Sequence, residues 1–187
     1  TYNETADAND YLTATLKQGV SYVAIGNGDV QHFLVDGETI ITLSESALSE
    51  LEAQECATLL WQRRRDFIAR EQKEAFNNRV VLYGDKSMPF WYTVYGNAPK
   101  GQRSLWISMH GGGGAPAEIN TSQWENQKKL YSLKEGVYVA PRAPTDTWNL
   151  WHQSHIDPMF EKLIQDMVIF EGVDPNRVYI IGYSARG

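Results

Sequence analysis

The chain has 187 residues, 42% of them hydrophobic and 21% charged, which suffices for one well-packed domain or a domain with an appendage. Its formal charge of -6 at pH 7 argues against a phosphate-backbone binder, because nucleic-acid readers carry a clustered basic excess. No apolar run approaches the ~18 residues needed to span a bilayer.

The basic cluster Arg63, Arg64 and Arg65 is followed at once by Asp66 and reads as the solvated face of a charged helix. The single cysteine, Cys56, excludes an internal disulfide framework and reads as a small hydrophobe on that helix. The chain begins at Thr1, so any targeting segment is expected to have been removed or left out, and the Trp, Tyr and Asn content leans toward a secreted or periplasmic protein.

In chain order, residues 20–43 alternate short Val/Ile/Tyr/Phe runs with Gly-Asn-Gly-Asp and Asp-Gly, a β-meander pattern. The glycines Gly26 and Gly28 do not make a dinucleotide loop, since Gln31 occupies the place of the third glycine. Residues 46–76 are rich in Ala, Leu, Glu, Gln and Arg and predict a long helix stopped by Asn77 and Asn78, without the single stripe of a coiled coil.

After Asn78, strands are predicted at 79–84, 89–96 and 104–110, a helix near 117–131, a strand at 136–141, a helix from Pro158 to about Phe170, and a strand at 177–182. Asp157 is the predicted cap of the second of these helices and Gly172 its stop. Alternating strands and helices predict βαβ units and a mostly parallel sheet with flanking helices. Residues 1–78 then form an accessory region, a small β-meander plus a long helix, and 79–187 the α/β domain.

Two motifs carry chemistry. "HGGGG", His110 followed by Gly111, Gly112, Gly113 and Gly114, stands between a strand and a helix. Consecutive glycines are costly to order and fit a loop whose N–H groups meet an anion. "GYSARG" closes the last strand and places Ser184 two residues after Gly182, the spacing of a strand-to-helix nucleophile elbow. Arg186 stands where that pattern has glycine. One helix, strand, helix and strand separate the motifs, so both loops are expected at the same carboxyl edge of the sheet.

At "WISMHGGGG" and "DPNRVYIIGYSA" the chain resembles the α/β-hydrolase superfamily of serine esterases and peptidases, in its esterase and polyester-depolymerase-like branch, over residues 79–187. The resemblance implies a partial α/β-hydrolase fold with Ser184 as nucleophile, Ala185 as one oxyanion N–H donor and Gly111, Gly112 and Gly113 as the other side of the hole. His110 is then a structural member of the loop. The triad acid and histidine follow the serine in this superfamily, and only three residues follow it here. The chain is therefore expected to be the amino-terminal part of a hydrolase, inactive alone, with an open sheet edge through which it self-associates.

The implied substrate is a small-molecule or polymer ester, with no cofactor and no metal. Trp148 and Trp151 border the site as candidate substrate-binding residues or as loop anchors, whereas Trp106 and Trp124 read as packing residues. His152 and His155 lack a third ligand for a metal site; a substitute triad base is the lesser reading, and local hydrogen bonding or a helix-entry role the main one. The alternatives are a non-catalytic binding protein on the same fold and a serine peptidase of the prolyl-oligopeptidase-like type.

Overall fold

The computed structural model describes residues 11–13, 21–26, 29–34, 40–42 and 49–182. The chain divides into two compact units, residues 1–66 and 67–187. In the first, β2 (Ser21–Gly26) and β3 (Asp29–Leu34) pair as the predicted antiparallel hairpin. The third run, β4 (Ile40–Thr42), does not extend it into a meander but pairs with β1 (Tyr11–Thr13). Alternation marks a strand without naming its partner, so the sequence pattern was blind to this ladder.

Helix α1 (Glu50–Asn77) runs through the unit boundary. Arg63, Arg64 and Arg65 are exposed on it, and the Cys56 side chain lies outside the described residues. Its last turns belong to the second unit, where Ile68 and Phe76 are buried. The helix stops at the predicted asparagines, and Arg79 takes a left-handed φ of 57°, its guanidinium 4.2 Å from the Tyr92 ring centroid.

Five strands form the sheet of the second unit: β5 (Val80–Tyr83), β6 (Lys86–Tyr95), β7 (Arg103–Met109), β8 (Gly136–Pro141) and β9 (Val173–Gly182), in the order β5-β6-β8-β7-β9. The sheet is mixed, not mostly parallel. Pairs β5·β6 and β6·β8 are antiparallel, and β8·β7 and β7·β9 are parallel. The reason is connection length. Gly84 and Asp85 alone join β5 to β6, with Gly84 at φ 57°, and so tight a turn forces an antiparallel pair. Residues 96–102 between β6 and β7 are likewise too few for a parallel crossover.

From β7 onward the connections are helices, α2 (Ala117–Gln127) and α3 (Ile156–Glu171). Strand β8 lies on one side of β7 and β9 on the other. Right-handed crossovers in opposite directions place their helices on opposite faces. Every residue of β8 is buried, as a strand covered on both faces requires. On one face Val137, Val139, Leu105 and Ile107 join Met159, Leu163 and Met167 of α3 in the apolar core. On the other, α2 covers Tyr138, which is fully buried, and Trp124 Nε1 donates to Ala140 O at 2.8 Å.

Helix α2 ends four residues before its predicted limit of 131. Asp157 does not cap α3 but lies in its first turn; His155 occupies the cap position with helical φ and ψ of -83° and -11°. The chain reaches α3 through turns bonded Ile156 N–H to Gln153 O and Met159 N–H to His155 O, so no extended residue precedes the helix to cap it. Gly172 ends it as predicted, at φ 66°.

Candidate active site

The carboxyl ends of β7 and β9 are neighbours. Their parallel register runs from Leu105 opposite Val178 to Met109 opposite Gly182. Gly182 therefore ends its strand about 5 Å, one strand spacing, from Met109. Ser184, Ala185 and Arg186 lie outside the described residues. What the structure describes is the glycine loop after β7 and the long connection after β8.

His110 is fully buried between those two connections. The Ala143 N–H donates to its Nε2 at 3.0 Å, which puts the ring proton on Nδ1, and Nδ1 donates to Gly111 O at 2.7 Å. Both ring nitrogens are thus spent on backbone, and the imidazole acts as a peg that joins the loops. Its own carbonyl accepts a 2.9 Å bond from Trp151 Nε1, and the two rings meet edge to face at 5.2 Å.

In the loop itself Gly112, Gly113 and Gly114 take φ of 105°, 93° and 62°, which only glycine adopts cheaply in succession. Two of the amides point into the protein. Gly113 N–H donates to Asn120 Oδ1 at 2.8 Å and Gly114 N–H to Asp146 O at 3.0 Å. A Cβ on Gly112 would collide with Asn120 Oδ1, so the absence of a side chain there is required by packing as well as by φ.

Asn120 is the junction of these two segments. It sits on the first turns of α2, fully buried, and its Nδ2 donates to Ala115 O at 3.1 Å and to Asp146 Oδ1 at 2.9 Å. Arg142 Nη2 pairs with the same Asp146 oxygen, while its Nη1 donates to Ala143 O at 2.8 Å and Nε to Thr121 Oγ1 at 3.4 Å. Burial works to raise the Asp146 carboxyl, but the hydrogen bonds from Arg142 and Asn120 outweigh it and hold its pKa below the ordinary carboxylate value. Residues 110–115, the start of α2 and residues 142–146 form one polar unit.

The two candidate tryptophans separate. Trp151 is 6% exposed and anchors the connection after β8, whereas Trp148 is 74% exposed and its Cβ lies beside Gly114. Gln153 Nε2 bonds Thr145 Oγ1 at 2.7 Å and Thr147 Oγ1 at 2.8 Å, so the segment presenting Trp148 is braced from beneath. His152 is exposed, and His155 Nε2 is buried without a hydrogen-bond partner. Trp106 stacks on Tyr179 at 4.4 Å, and Lys128 Nζ lies 3.6 Å over the Trp124 ring.

Sequence reasoning named the glycines and missed Asn120 and Asp146. The available signal was Asn120 itself, a poor helix former inside a helix that follows a glycine run. No group of three or more His, Cys, Asp or Glu side chains suited to a metal occurs among the described residues, and no described helix is long and apolar enough to cross a membrane. Comparison with protein-family models, curated proteins and solved structures finds no match.

Proposed function

We propose that this chain carries the nucleophile and oxyanion loop of a serine hydrolase of the α/β-hydrolase type, acting on carboxylic esters of a small molecule or a polymer. The observation that supports the reading is the pairing of Met109 with Gly182, which sets side by side the carboxyl ends of the two strands that immediately precede the glycine loop and Tyr183 in the sequence. Ser184 Oγ attacks the ester carbonyl carbon. The resulting oxyanion accepts N–H groups from Ala185 and from the glycine loop ahead of Gly113, whose own amide is committed to Asn120.

The carbon–oxygen bond of the ester then breaks, the alcohol leaves with the proton taken from Ser184, and water hydrolyses the acyl-enzyme. His110 is not the base of this cycle, because both of its nitrogens already hold the loops together. The resemblance assigns acid and base to residues later in the chain than Ser184, beyond these 187. Trp148 supplies an exposed aromatic face next to the loop for the acyl or alcohol part of the ester.

The test is hydrolysis of p-nitrophenyl acetate and butyrate by the full-length protein and by Ser184→Ala. Loss of ~10³-fold or more in kcat/KM in the variant, with the unfolding transition unchanged, is the expected result. Equal hydrolysis by both would refute the assignment.

A further inference from the structure

Beside the His110 peg and the Gly114–Asp146 backbone bond, one side chain of the following helix fixes the glycine loop: Asn120 takes the Gly113 N–H, blocks any Cβ at Gly112 and fastens the turn at Ala115. Asn120 in turn is oriented. Its amide nitrogen points at Asp146 Oδ1, the oxygen that also receives Arg142, so the carboxylate decides which end of the Asn120 amide faces the loop. An acceptor at Asp146 requires the NH₂ group there, and the carbonyl oxygen is then left for Gly113.

We propose that Asn120, oriented by the Arg142–Asp146 pair, is a positioning residue of the oxyanion loop. It draws the Gly113 amide inward and so fixes the peptide planes ahead of Gly113 in the orientation that the developing oxyanion meets. This inference rests on the serine-hydrolase reading above. Preorganised donors lose their value when misaimed, and a displacement of ~1 Å costs about 10²-fold in rate. The loop's four glycines give it freedom to relax if the side chain that holds it is removed.

Two variants of the full-length protein separate this role from bulk stability. Asn120→Ala removes the acceptor, and kcat toward p-nitrophenyl butyrate is expected to fall ~10–100-fold while KM stays within about 3-fold. Asn120→Asp keeps an acceptor for Gly113 but sets a carboxyl against Asp146. Its kcat relative to the unmodified protein at the same pH is expected to rise as the pH is lowered from 8 to 5.5, because one shared proton restores the missing donor. Hydrogen exchange at the Gly113 amide is slow in the unmodified protein and fast in Asn120→Ala.

Should Asn120→Ala fail to fold, the pH ratio of Asn120→Asp still decides. An unchanged kcat in Asn120→Ala, or a flat ratio in Asn120→Asp, overturns the positioning role and leaves the hydrolase reading intact. An unmodified protein without Ser184-dependent hydrolysis overturns the hydrolase reading, and this inference falls with it.

Discussion

The two faces of strand β8 are built from different physics although they alternate residue by residue along the same six positions. Toward α3, Val137 and Val139 meet Leu163, Met159 and Met167, and the packing is hydrocarbon against hydrocarbon. Toward α2, Tyr138 donates to Gln127 O at 2.5 Å, Gln127 Nε2 to Ser108 Oγ at 2.6 Å and Trp124 to Ala140 O. The first face is non-directional and supplies stability. The second is directional, and it is the helix on this face that carries Asn120 to the glycine loop. Apolar burial holds the sheet together, while hydrogen bonds aim what the sheet presents at its edge.

That difference predicts how each face responds to truncation. Leu163→Ala on the apolar face opens a cavity and is expected to cost about 2–5 kcal/mol in urea unfolding, the largest effect considered. A cost under about 1 kcal/mol would show that this face is loosely packed.

The apolar side holds one exception. Asp166 on α3 is buried with neither carboxylate oxygen hydrogen-bonded. Burial pushes its carboxyl from the ordinary 3.8 up to about 7, the attraction of Lys162 offsetting only part. The folded state thus keeps a proton that the unfolded chain releases near pH 4. Stability from this group is full below that pH and is lost as the pH rises through about 7. Asp166→Asn is expected to stabilise the protein by ~1–3 kcal/mol at pH 8 and to leave it unchanged near pH 4. Equal effects at both pH values would contradict the buried, protonated state.

On the polar face, Tyr138→Phe removes one hydrogen bond without changing the ring and should cost ~0.5–1.5 kcal/mol, well below the Leu163 effect. A loss as large as that of Leu163→Ala would erase the distinction between the faces.

Much of the frame was legible in the sequence because it rests on local signals. The glycine at 172 ends α3, the Ala- and Glu-rich run forms α1, and the alternation after residue 103 yields the βαβ segments. The alternation also put the strands before the two motifs in one sheet, and their carboxyl ends pair at Met109 and Gly182; Ser184 itself lies outside the described residues. The mixed character of the sheet was missed because the weight was put on the helical crossovers and not on the short links at Gly84 and residues 96–102. The Asn120–Asp146 bond joins residues 26 apart in the chain, both ordinary polar types in ordinary places. Beyond Asn120 as a weak helix former after a glycine run, no local pattern distinguishes such a pair from solvated surface; the burial of Asn120 does.

The most direct measurement is covalent labelling of the full-length protein with a fluorophosphonate, followed by peptide mapping of the adduct. The account predicts a single modification on Ser184, absent after Ser184→Ala. No adduct, or an adduct on another residue in a protein that hydrolyses esters, would contradict it.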